Sequence, residues 1–69
     1  MTANGLNIIA VKLEECSKIE KLFNMFRIGL NDWDVSRKFD LNGLPIAIYI
    51  VKCYDSSVIE SIKNQIKNI

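Results

Sequence analysis

Hydrophobic and polar positions divide this chain of 69 residues into segments of different period. From Leu6 to Leu13 both parities are apolar, with Leu6, Ile8 and Ala10 on one side and Ile9, Val11 and Leu13 on the other. A strand of this kind sits inside a sheet with both faces at least partly covered. From Glu14 to Leu30 the spacing becomes helical. At about 100° per residue, Cys16, Ile19, Phe23, Phe26 and Leu30 fall within an arc of about 80°, with Leu22 at its edge. Glu14 and Glu15 at the start and Arg27 near the end suit the helix dipole, and Gly29 and Asn31 are stop signals.

Trp33 to Leu41 alternates as a half-buried strand does, with Val35, Phe39 and Leu41 on one parity. Asn42-Gly43 predicts a two-residue type I′ turn, because that turn needs positive φ at both central positions. Leu44 to Tyr54 is the return strand, and Pro45 is tolerated near its start. The predicted turn sets a register in which Leu41 faces Leu44, Phe39 faces Ile46, Arg37 faces Ile48 and Val35 faces Ile50. That mostly apolar set would be the face beneath the helices. The opposite set pairs Asp40 with Pro45, Lys38 with Ala47 and Ser36 with Tyr49.

Asp55 to Ile69 closes the chain as a second helix. Ser57 and Glu60 have capping-box spacing, and Val58, Ile59, Ile62, Ile66 and Ile69 form the apolar stripe. The order β-α-β-β-α predicts one domain over 1–69, a two-layer α+β sandwich whose three-stranded sheet includes an antiparallel hairpin. Its topology resembles a ferredoxin-like unit without the last strand, which implies a fold and no function.

Composition narrows the function by subtraction. Nine basic and eight acidic residues give a net charge of +1, so no single-sign field is available to steer nucleic acid or an anionic membrane. The longest apolar run, Leu44 to Val51, is far short of the ~20 residues that span a bilayer. Met1 to Gly5 lacks the charged start of a signal peptide. Cys16 and Cys53 form too thin a basis for a disulfide framework, and a reducing, cytoplasmic setting is expected. The chain has no histidine, hence neither the commonest general base nor the commonest nitrogen ligand for metals. The cysteines match no zinc spacing and the three glycines form no phosphate loop. Asp32 and Asp34 read as a solvated turn rather than a magnesium site. No enzyme activity and no cofactor are expected.

What stands out is apolar surface. On a continuous helix, Met25 and Ile28 lie about 200° and 140° from the Phe23 stripe, among Lys18 and Lys21. Trp33 follows the helix end, bracketed by Asp32 and Asp34. Together Met25, Ile28, Trp33, Asp32 and Asp34 are the candidate contact surface for a protein partner, since Trp and Met are enriched at interfaces. The predicted register leaves Tyr49, Val51 and Cys53 on the outer sheet face. Either one helix covers each face of the sheet or a second copy covers the outer one, making a homodimer.

The expectation is therefore a small protein-binding module or inhibitor. Its isoleucine, lysine and asparagine bias suggests a phage or other mobile element. The alternatives are a structural subunit of a larger assembly and a DNA-binding regulator. The latter reads Lys21 to Phe39 as a helix-turn-helix with its recognition helix over Val35 to Phe39. Leu30 and Val35 fit that motif; Asn24, Met25 and Lys38 do not.

Overall fold

The computed structural model describes residues 5–67 and 69. Strand β1 (Leu6–Lys12) leads through a single 3₁₀ turn, Leu13–Glu15, into helix α1 (Cys16–Met25). Strands β2 (Trp33–Phe39) and β3 (Pro45–Lys52) form the hairpin, and helix α2 (Ser56–Gln65) follows. The sheet order is β1-β3-β2, with β3 antiparallel to both neighbours. This is the two-layer α+β sandwich that the periodicity implies.

Both helices cover the same face. Ile19, Leu22 and Phe23 of α1 and Ile59 and Ile62 of α2, with Ile66 just beyond it, share one core with Ile9, Val11, Ala47, Tyr49 and Val51. All five strand residues have odd numbers, and in a strand one parity means one face. The even-numbered residues of β1 and β3 form the other face, which neither helix covers. Beyond α2, Lys67 N–H donates to the Glu15 carboxylate at 3.0 Å. Ile69 N–H then donates to the Ala10 carbonyl of β1 at 2.7 Å.

The hairpin closes differently from the expected type I′ turn, and the difference inverts the strand. Gly43 has φ +76°, whereas Arg27 is the only non-glycine among the described residues with positive φ, so Asn42 does not meet the type I′ requirement. Gly43 N–H donates to the Asp40 carbonyl at 3.0 Å, and Asp40 N–H donates to the Leu44 carbonyl at 2.9 Å. The Asp40 carboxylate accepts from both Asn42 N–H and Leu44 N–H, each at 2.8 Å. The result is a three-residue loop, Leu41–Gly43, in which the glycine takes the left-handed bulge position. One added loop residue moves the register by one. Phe39 pairs with Pro45, Arg37 with Ala47, Val35 with Tyr49 and Trp33 with Val51. Ile46, Ile48 and Ile50 therefore turn away from the helices, and Ala47, Tyr49 and Val51 turn inward, the reverse of the expected arrangement.

Helix α1 also ends earlier than its period suggests. Ile28 N–H donates to the Phe23 carbonyl at 2.8 Å and Arg27 N–H to the Asn24 carbonyl at 3.1 Å. With Arg27 at φ 61°, these bonds make a Schellman cap in which an arginine occupies the position that glycine favours. The left-handed conformation costs a side-chain-bearing residue about 1–2 kcal/mol. In this motif the residue after the left-handed one packs back on the last turn, which is what Ile28 does. Gly29, read from sequence as the stop, lies beyond the cap.

At the start of α2 the cap is Asp55, not the Ser57–Glu60 box. Its carboxylate accepts from Ser57 N–H at 3.0 Å and from the Ser57 hydroxyl at 2.6 Å. Those two bonds hold its pKa below the ordinary carboxylate value. The stretch first read as helical to Ile69 stops at Gln65, and position 68 within it lies outside the described residues.

The register makes opposite demands on neighbouring residues of β3. Tyr49→Ala should cost about 3–5 kcal/mol, as for an aromatic removed from a core. Ile50→Ala should cost less than about 1 kcal/mol, as for an exposed position. Urea unfolding of the two variants checks this; a larger loss at Ile50 than at Tyr49 would restore the type I′ register.

Candidate interaction surface

The residues first proposed for partner contact do not form one patch. Met25, 69% exposed, is on the solvent side of the last turn of α1. Ile28 is buried, because the cap ends the helix before the wheel position assumed for it is reached. Trp33 is half-buried and packs against the core. Its ring centroid lies 5.3 Å from that of Phe23 and 5.7 Å from that of Tyr49, and Phe23 and Tyr49 are 5.6 Å apart in an edge-on arrangement. Each such pair adds about 0.5–1.5 kcal/mol beyond its buried area. Trp33 is thus one corner of a three-ring cluster that ties the first residue of β2 to α1 and β3. Asp32 and Asp34 are exposed, and with Trp33 they line a shallow depression shared with Leu6, Ile50 and Lys52.

The self-association residues are corrected more sharply. Tyr49 and Val51 are fully buried beneath the helices, and Cys53 is half-buried against the same core. The Cys53 thiol donates to the Asp55 carbonyl at 3.6 Å. The register shift is the reason: residues of odd number in β3 face the helices. The recognition helix of the helix-turn-helix alternative is absent as well, because Val35 to Phe39 lies within β2.

Tyr49 carries a polar contact that reaches the centre of this core. Its hydroxyl donates to the Glu20 carboxylate of α1 at 2.5 Å. Burial above all, then hydrogen bonding to the Cys16 thiol and the Glu20 carboxylate, raises the phenol pKa well beyond its ordinary range. The phenol therefore stays a donor, and the arrangement is a structural tie between α1 and the sheet.

The apolar surface left over is the uncovered sheet face. Its rows, read across β1, β3 and β2, are Ile8–Ile50–Asp34, Ala10–Ile48–Ser36 and Lys12–Ile46–Lys38. Ile8 is 67% exposed and Ile50 is 42% exposed, with Ala10 and Ile48 half-buried beside them. Ile46 is buried, flanked in its row by two lysines whose stems are long enough to cover it. A second exposed group, Phe39, Leu41 and Leu44, sits at the hairpin tip. Sequence reasoning missed the isoleucine face because both parities of β3 are apolar, so only the turn could assign them. The Asp40 side chain, placed to accept from the N–H groups of the loop, was the available signal.

Among the described residues no group of three or more histidine, cysteine, aspartate or glutamate side chains is placed to hold a metal ion. Nor is any described helix long and apolar enough to cross a membrane. Compared with known proteins, the chain matches no family model, no curated protein and no solved structure.

Two measurements check these assignments. Trp33→Ala should lower stability by about 3 kcal/mol, the low end for a large aromatic in a core. A loss below about 1 kcal/mol in a denaturant melt would return Trp33 to the surface. The second concerns pH. Because the folded state holds the Tyr49 proton above the unfolded value of 10.0, its contribution is complete below pH 10 and is lost progressively as pH rises beyond it. Tyr49→Phe should flatten that alkaline decline; an unchanged decline would mean that Tyr49 is not the group responsible.

Proposed function

We propose that this protein is a non-enzymatic protein-binding module or small inhibitor and that it binds through the uncovered face of its sheet. The observation that carries this reading is the row Ile8–Ile50, exposed on a face whose opposite side packs against both helices. Soluble domains seldom leave contiguous apolar area uncovered unless something covers it in use, and polar groups at the border of such an area suit a protein interface. Lys12, Lys38, Lys52 and Asp34 form such a border here. Neither an enzyme nor a DNA-binding regulator is favoured: histidine is lacking, and the near-neutral charge gives phosphate little to engage. The unpaired thiols of Cys16 and Cys53 support a cytoplasmic setting, and the small, isoleucine- and lysine-rich chain supports an origin in a phage or mobile element.

The test is a photo-crosslinking amino acid placed singly at Ile8, Ile50, Met25 and Leu41 in the producing cell. Adducts to protein are expected from positions 8 and 50. Adducts confined to Met25 or Leu41, or adducts to nucleic acid, would move the binding surface elsewhere.

A further inference from the structure

We infer that the occupant of the uncovered face is a second copy of this chain, related by a two-fold axis that lies in the interface and crosses the strands at Ile48. This rests on the reading of that face as the binding surface and names its partner. The argument comes from where the charges stand. Strand β2 carries an acid, Asp34, in the row of Ile50 and a base, Lys38, in the row of Ile46. Strand β1 carries Ile8 and Ala10 in the middle rows and Lys12 in the row of Ile46.

Two in-plane axes are available to a pair of face-packed sheets, and they give opposite results. An axis parallel to the strands lays β2 of one copy over β1 of the other with rows in step. It would set Lys38 over the other copy's Lys12 and press the Asp34 carboxylate onto Ile8. Like charges would meet, and a carboxylate would lose water without gaining a partner. An axis across the strands lays β1 over β1 and β2 over β2 with the rows reversed. Asp34 then faces Lys38 of the other copy, twice by symmetry. Ile48 meets Ile48 on the axis, Ile50 meets Ile46, and the small Ala10 beside the axis lets the sheets approach the ~10 Å of ordinary sheet packing. Lys12 then lies over Ile8 of the other copy, where its alkyl stem can pack while the ammonium reaches water at the edge, and β2 forms a rim of paired charge. Such an interface is isologous and closes as a dimer.

Its size sets its strength. Three strands about 4.8 Å apart and rows spanning about 20 Å give a face of about 300 Å² in projection on each copy. Two copies together would cover about 600 Å² in projection, below the ~1,200 Å² at which standard interfaces begin, so the pairing is of the weak, transient kind and reversible.

Sedimentation equilibrium of the full chain up to about 1 mM is the test, with helix content and denaturant unfolding confirming that each variant folds. The wild type should show a reversible monomer–dimer equilibrium. Ile8→Lys, at an already exposed position, should abolish it. Asp34→Lys and Lys38→Asp should each weaken pairing roughly five- to tenfold by setting like charges together, and the double variant should recover most of it. A monomer at every concentration overturns the second copy. If position 8 then still crosslinks to another protein in the cell, the binding face stands with a different occupant. A dimer indifferent to both Ile8→Lys and Lys38→Asp overturns both the second copy at this face and the face itself. A dimer strengthened by Lys38→Asp, and not weakened by Ile8→Lys because the new lysine faces Asp34, selects the axis parallel to the strands and overturns the one inferred here.

Discussion

The pairing of β2 with β3 decides which half of β3 becomes core, and every other feature of the molecule follows from that choice. Residues of β3 alternate between two apolar sets, Ile46, Ile48 and Ile50 against Ala47, Tyr49 and Val51. Hydrophobicity alone does not rank them. The loop does, because Asp40 and Gly43 build a three-residue connection with two carboxylate-to-amide bonds inside it. A slip of one residue would exchange the two faces completely. The register chosen places small Ala47 and Val51 where helices approach and sets the Tyr49 ring beside Phe23 and Trp33.

The same choice produces the surface. Both helices pack on one side of the sheet. The other side must then carry the remaining isoleucines in contact with water or with a partner. Small domains have little surplus stability, so covering such a face by association strengthens the fold as well as serving binding. Binding face and folding constraint are in this sense one feature, set by the turn at Asp40.

Much of the fold was legible in the sequence, and the reasons for the misses are local. Apolar runs rich in isoleucine and valine located β1 and β3, alternation located β2, and the 3.6-residue period located both helices. The Asn42-Gly43 pair was a true turn signal, but it specified a position and not a loop length; Asp40, two residues earlier, supplied the competing bonds. Ile28 was misplaced because the helical wheel was carried through Arg27, a residue whose side chain gives no warning of a left-handed conformation. Trp33 was placed on the contact surface because tryptophan is enriched at interfaces, although alternation along β2 points it toward the helices and Asp34 away from them. The apolar outer face was foreseen as a surface, yet with the wrong residues on it, since the register error moved Tyr49 and Val51 outward.

The account therefore stands on a single relation, the placing of Val35 opposite Tyr49 and not opposite Ile50. Nuclear Overhauser contacts between Hα protons of β2 and β3 read it directly, because antiparallel residues that do not exchange hydrogen bonds bring those protons close. Val35 to Tyr49 and Arg37 to Ala47 are the contacts this register predicts. Contacts from Ser36 to Tyr49 and from Lys38 to Ala47 in their place, the pairs without hydrogen bonds in the two-residue-loop register, would contradict it, return the isoleucines to the core and leave the proposed binding face without its residues.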